Sequence, residues 1–144
     1  MDIQRIGDTL EIQALLSAYA RAVDTRDWAL YRSLFTADAV LDYTSAPFGR
    51  SGPRDEIVEW LRESMAVLPM TQHLVTNIEA DIDGDTAAVR ALFYNPMRFP
   101  GFAEPSFCGG TYHHSMIRTA DGWRSRGLRE ENAWFTNNPL TAGQ

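Results

Sequence analysis

Three histidines, His73, His113 and His114, are the side chains of this 144-residue chain whose charge changes most easily near neutral pH, from an ordinary pKa of roughly 6.5. His73 lies in Met70-Thr71-Gln72-His73-Leu74-Val75, just after the helix-ending Pro69 and at the start of a strand pattern, where an imidazole can point inward and be firmly held. Asp24 follows the apolar stripe of the first helical pattern, and a carboxylate on that side must find a donor. An imidazole across a pocket would serve. Such a pair makes a base: Asp24 holds one ring N–H and stabilises the imidazolium, leaving the other nitrogen of His73 free to take a proton from carbon. Two plainer readings compete. His73 could be a hydrogen-bonded core histidine, and Asp24 could end its helix or pair with Arg21 or Arg26.

The remaining candidates are weaker singly. His113 and His114 are adjacent on an expected strand and must face opposite sides of a sheet; His114 shares parity with Cys108, Tyr112 and Met116. Tyr19, Tyr43 and Tyr112 each offer an apolar ring and a phenol that can donate to a ligand oxygen, though each could equally be core. Arg129 has the parity of Ser125, Gly127 and Glu131, and either binds a substrate oxygen or pairs with Glu130 or Glu131. Trp28 is apolar wall material for a pocket or for the core. No HxH or HExxH pattern supports a metal site, no Gly-x-Ser-x-Gly marks a nucleophile, and Cys108 has no adjacent base. Gly109-Gly110 suggests a bend or bulge in a strand.

The elements that must position these groups follow from periodicity and punctuation. Asp8 with Glu11 three residues on forms a capping-box arrangement, and Ile12, Leu15, Leu16, Tyr19 and Val23 continue at helical spacing, predicting a first helix from about Thr9 to Val23. Asp27 is placed to cap a short second helix. Thr36-Ala37-Asp38 then reads as a turn into a strand over Ala39–Tyr43. Gly52-Pro53 opens a third helix with Pro in its first position, and Ile57, Trp60, Leu61, Met65 and Leu68 share a face until Pro69. From His73 onward the period is that of strands, expected near 73–82, 85–98, 106–119 and 123–135, with reversals at Asp83-Gly84 and Asp121-Gly122. Pro96, Pro100 and Pro105 confine the middle connection to an edge or a loop. Helices first and long strands afterwards predict an α+β fold, one curved sheet wrapped against three helices as a cone whose mouth suits an apolar small molecule.

Composition narrows the function classes. The length, 144 residues, suits one domain spanning the chain, and 44% apolar residues supply its core. A net charge of −6 argues against nucleic acid and anionic membrane as partners. The opening MDIQRIGDTLEIQ lacks the basic end and apolar run of a signal peptide, and no stretch approaches the roughly 20 apolar residues of a membrane span. With a single cysteine, the expected setting is the cytoplasm.

Three segments, IQALLSAYARAVDTRDWALYRSLFTADAVLDY, TQHLVTNIEADIDGDTAAV and GGTYHHSMIRTADGWRSRGL, make the chain resemble, over nearly its whole length, the SnoaL-like branch of the nuclear-transport-factor-2-like superfamily. Within that branch it looks most like scytalone dehydratase, bile-acid 7α-dehydratase and hexachlorocyclohexane dehydrochlorinase. The resemblance implies a cone-shaped α+β barrel, a homo-oligomer (dimer or trimer), and elimination by an Asp–His dyad without cofactor or metal. Carried over residue by residue, the dyad falls on Asp24 and His73, the first-strand tyrosine on Tyr43, and further tyrosines on Tyr19 and Tyr112. A basic residue near the end falls on Arg129, and a second histidine falls near His113 and His114. The function this implies is a cofactor-independent lyase acting on an apolar cyclic, polyketide-like or steroid-like molecule. An isomerase or cyclase, or a non-catalytic binding module, are the alternatives on the same scaffold.

Overall fold

The computed structural model describes residues 2–140. Helix α1 spans Ile3–Asp24, capped by Asp2, whose carboxylate accepts the backbone N–H groups of Gln4 (3.0 Å) and Arg5 (3.4 Å). The expected start at Thr9 is therefore six residues late. Asp8 and Glu11 do not form a capping box but serve tertiary contacts. Asp8, buried inside α1, receives Arg118 Nη1 (2.6 Å), Arg118 Nη2 (2.9 Å) and Trp123 Nε1 (3.0 Å), and Glu11 receives the Trp123 backbone N–H at 2.6 Å. The Arg118 hydrogen bonds hold the Asp8 carboxyl well below the usual carboxylate range against its own desolvation. Ile12, Leu15, Leu16, Tyr19, Ala22 and Val23 complete the buried face of α1.

Asp27 caps α2 (Trp28–Ser33) through the Leu30 N–H at 3.0 Å, as expected. Strand β1 runs Phe35–Asp42, so Thr36-Ala37-Asp38 is extended and not a turn; it lies in an irregularity between Phe35 and Val40, which both pair with the last strand and hold the segment between them. Tyr43 lies just past its end. After β2 (Ser51–Pro53), α3 covers Arg54–Ala66, with Pro53 at the N-cap rather than inside the first turn and Leu68 beyond the helix. Then follow β3 (Met70–Thr71), β4 (Leu74–Asp83), β5 (Thr86–Arg98), β6 (Ser106–Thr119) and β7 (Gly122–Thr136). Pro96 sits within β5, inside the strand expected near 85–98, beside the two-residue strand β3, and its carbonyl accepts the Gln72 N–H at 3.0 Å.

The strands form one sheet in the order β2-β1-β7-β6-β5-β3, with β4 also paired to β5. Only the β1–β7 pairing among these is parallel. The fold is α+β, three helices against a curled mixed sheet, as the element order predicted.

Two irregularities in β7 decide what faces inward. Ser115 pairs with Gly127 and Met116 with Ser125, leaving Arg126 as an extra residue; Gly110 pairs with Asn132 and Gly109 with Trp134, leaving Ala133 extra. Each bulge reverses the alternation of faces. The inner set thus runs Trp123, Ser125, then Leu128, Glu130, Asn132, then Phe135. The second bulge falls at the expected Gly109-Gly110 bend. A Cβ on Gly110 would stand 1.9 Å from the Glu131 carbonyl oxygen, so only glycine fits there.

Candidate active site

The end of α1 and the step between β3 and β4 bring Asp24 and His73 together. Asp24 Oδ1 lies 2.7 Å from His73 Nδ1 and accepts the Thr71 hydroxyl at 3.0 Å, while Oδ2 accepts the His73 backbone N–H at 2.7 Å. Desolvation raises the Asp24 pKa, but the His73 ring, its backbone N–H and Thr71 together outweigh that and leave it lowered. An ionised carboxylate only accepts, so it fixes the proton of a neutral His73 on Nδ1 and leaves Nε2 as the basic nitrogen. Nε2 has no hydrogen-bond partner among the described residues, and the ring lines a cavity.

Arg26 secures this arrangement without pairing to Asp24. In the left-handed conformation (φ 59°) that ends α1, it donates to the Val23 carbonyl (2.7 Å), the Thr71 hydroxyl (2.8 Å) and the Leu68 carbonyl (3.2 Å). It thereby ties the helix end to the segment that carries His73 and orients Thr71 toward Asp24.

The cavity holds about 420 Å³ between the helices and the inner sheet face. Trp60, Leu61, Met65, Met97 and Phe135 give it an apolar wall, and Tyr19, Tyr43 and Tyr112 reach it with His73. The Tyr43 hydroxyl lies 2.5 Å from those of both Tyr19 and Tyr31. Three hydroxyls sharing two hydrogen bonds leave one proton uncommitted. Tyr19 and Tyr43 line the cavity and Tyr31 does not, so that proton finds an acceptor most readily in the cavity. Burial raises the pKa values of Tyr19, Tyr31, Tyr43 and Tyr112, keeping the phenols neutral. Cys108 also lines the cavity, but burial pushes its thiol up to about 12, which removes the thiolate a nucleophile needs.

Three expected site residues lie elsewhere. Arg129 is exposed on the outer face of β7, because the Arg126 bulge breaks the parity it would have shared with Ser125. His114 faces inward but is packed beneath the cavity among Tyr19, Phe35 and Tyr112, with Nδ1 2.9 Å from Ser125 Oγ, and burial drives its pKa down to about 3. Its parity opposite His113 was legible. Trp28 is buried at the start of α2 with its ring 5.8 Å from that of Tyr31, away from the cavity.

Sequence reasoning missed Glu130, which lines the cavity where Arg129 was expected. Burial pushes its carboxyl up to about 7, and the negative Asp42 adds to the shift. Asn95 and Asn132 also line the wall unpredicted. The available signal was Gly127, a glycine inside a strand pattern that could mark a bulge. Among the described residues no group of three or more His, Cys, Asp or Glu is arranged to hold a metal, and no helix is long and apolar enough to cross a membrane.

The SnoaL-like domain family matches residues 4–129, which span α1 through most of β7 and contain both Asp24 and His73. This chain belongs to the SnoaL-like domain family. An uncharacterized protein from Mycobacterium tuberculosis is 38% identical over 125 residues, 86% of this chain and 84% of its own. Solved structures share the SnoaL-like fold at lower identity. A candidate scytalone dehydratase from Novosphingobium aromaticivorans superposes with a TM-score of 0.85 at 19% identity, over 96% of this chain and 92% of that one. The type 3 hexachlorocyclohexane dehydrochlorinase from Novosphingobium barchaimii gives 0.82 at 18% identity, over 94% and 93%. The scaffold's structural relatives thus include dehydratases and dehydrochlorinases.

Proposed function

We propose that this SnoaL-like protein is a dehydratase-like lyase that uses His73, oriented by Asp24, to remove a carbon-bound proton from an apolar, cyclic small molecule, without a cofactor. The observation that carries this reading is the 2.7 Å contact between Asp24 and His73 Nδ1, with Nε2 left to the cavity. The proton comes from a carbon beside a carbonyl, where the resulting negative charge spreads onto oxygen. The neutral phenols at the cavity offer that oxygen the one proton that the Tyr19–Tyr43–Tyr31 hydroxyls leave uncommitted, together with the Tyr112 hydroxyl, and donors fixed in place stabilise developing charge without reorganising. The imidazolium that forms is stabilised by the ionised Asp24.

The basic residues of this chain are all arginines, so it carries no lysine amine to activate a carbonyl as a Schiff base. Activation of the α-proton therefore falls to hydrogen bonding. Because Glu130 is a second group able to give a proton within the same cavity, return of the proton to another carbon, an isomerisation, is the competing outcome.

The test is a turnover screen on cyclic β-hydroxy ketones, followed by ultraviolet absorbance of the enone and by mass. Loss of water marks elimination, and an unchanged mass marks isomerisation. His73→Ala and Asp24→Ala, with unaltered circular dichroism, are expected to lose turnover. Retention of near-normal rates by either variant overturns the reading.

A further inference from the structure

Among the described residues Glu130 is the one acidic side chain that lines the cavity, and the Asp24–His73 pair leaves it unexplained. Its Oε1 is sealed from solvent and has no hydrogen-bond partner among the described residues. A buried polar atom without a partner costs about 1–3 kcal/mol, which a ligand group can recover. The groups around it provide no counter-charge. Tyr19 approaches from α1, Tyr31 from α2, and Cys108 and Tyr112 from β6, while Tyr43 stands at the end of β1 and His73 across the cavity. Asp42 of β1 adds a negative charge from outside the cavity, and no arginine among the described residues lines it. A carboxylate in that setting keeps its proton, which is the sense of the upward shift to about 7. A neutral carboxylic acid has an O–H to give.

We propose that Glu130 is the proton donor of the cavity, giving a hydrogen bond to the ketone or hydroxyl oxygen of an uncharged, largely apolar ligand, and that the cavity rejects the corresponding carboxylate. An anionic ligand would meet Glu130 in a cavity that no guanidinium among the described residues lines. The ligand class follows: ketones and alcohols on an apolar ring skeleton. One consequence rests on the lyase reading. As the C–H bond breaks, its proton goes to His73 Nε2 and its electron pair forms the C=C bond. The C–O bond breaks with its electrons on oxygen, and that oxygen takes the Glu130 proton and leaves as water. The His73 imidazolium then returns its proton to the Glu130 carboxylate through solvent, restoring both groups.

Binding tests the donor without requiring turnover. The probes are 1-tetralone, a bicyclic ketone that can only accept a hydrogen bond, and 1,2,3,4-tetrahydronaphthalene-1-carboxylate, which has the same ring skeleton and a negative charge. Affinities are measured by calorimetry at about pH 5.5 and about pH 8.5, on either side of the Glu130 transition. The wild type is expected to bind tetralone roughly tenfold more weakly at the higher pH, where Glu130 can no longer donate. Glu130→Gln, whose amide still donates, should bind it equally at both, and Glu130→Leu should bind it weakly at both. The carboxylate should bind at neither. The same pH dependence in Glu130→Gln, no tetralone binding up to its solubility limit, or a carboxylate that binds as tightly as the ketone overturns the proposal. An inactive enzyme with the expected binding pattern would refute the lyase reading alone; turnover without that pattern would refute the role of Glu130 alone.

Discussion

Replacing Glu130 by Gln is expected to stabilise the protein above neutral pH, and the size of the gain follows from its burial. In the unfolded chain the carboxyl titrates near its ordinary 4.5, whereas in the folded cavity it is pushed up to about 7. Between those values the native state holds a proton that the unfolded state has released, so stability falls as pH rises through that window. Below the ordinary value both states are protonated and the cost vanishes; above the folded value it is constant. The difference is about 2.5 pH units at about 1.36 kcal/mol each, or up to about 3 kcal/mol. Glutamine has nearly the shape of the neutral acid and does not titrate. Urea denaturation of the two proteins at about pH 4.5, 6 and 8 should therefore show a difference that grows from near zero to about 3 kcal/mol in favour of Glu130→Gln. Parallel stability profiles would mean that the carboxyl is solvated and ionises normally, and would refute the argument from burial.

Asp24→Asn removes the ionised acceptor that holds the His73 Nδ1 proton. Nitrogen-15 NMR should show neutral His73 protonated on Nδ1 in the wild type and losing that preference in the variant; a wild type protonated on Nε2 contradicts the assignment. With about 4 Å between charge centres and an effective dielectric constant of about 20, the lost imidazolium–carboxylate attraction is about 4 kcal/mol, so turnover should fall about 1,000-fold. Asp8, whose pKa is depressed first by the Arg118 hydrogen bonds, contributes stability that is fully present above its ordinary value of 3.8 and is lost as pH falls from there through the lowered folded value. The thermal midpoints of wild type and Asp8→Asn should accordingly converge as pH drops below about 4, and a constant gap would count against this network. Gly110→Ala must move the Glu131 carbonyl, which a Cβ would meet at 1.9 Å. It should cost about 1–3 kcal/mol in denaturant unfolding, and a neutral effect would show that the bulge is not required.

The residue sequence by itself determined the elements whose signals are local. The apolar spacing of α1, the Asp27 cap, the long strands after His73 and the opposed faces of His113 and His114 all depend on neighbours within a few positions, and the structure repeats them. The pairing of Asp24 with His73 was one of several readings that the residue types left open, and a resemblance favoured it, because residues 49 apart in sequence carry no local mark of their contact. Elsewhere distant partners decided. Asp8 and Glu11 look like a cap, yet Arg118 and Trp123, more than a hundred residues away, claim them. His114 and Trp28 have the residue types of a site, but rings that pack over them close them off from the cavity. The sharpest case is β7. Strand alternation has a period of two, so one unpaired residue, Arg126, exchanges the faces of the residues after it as far as the second bulge at Ala133 and turns Arg129 out and Glu130 in. Whether a residue is extra depends on the register of β6 beside it, and that register exists only once the sheet has formed.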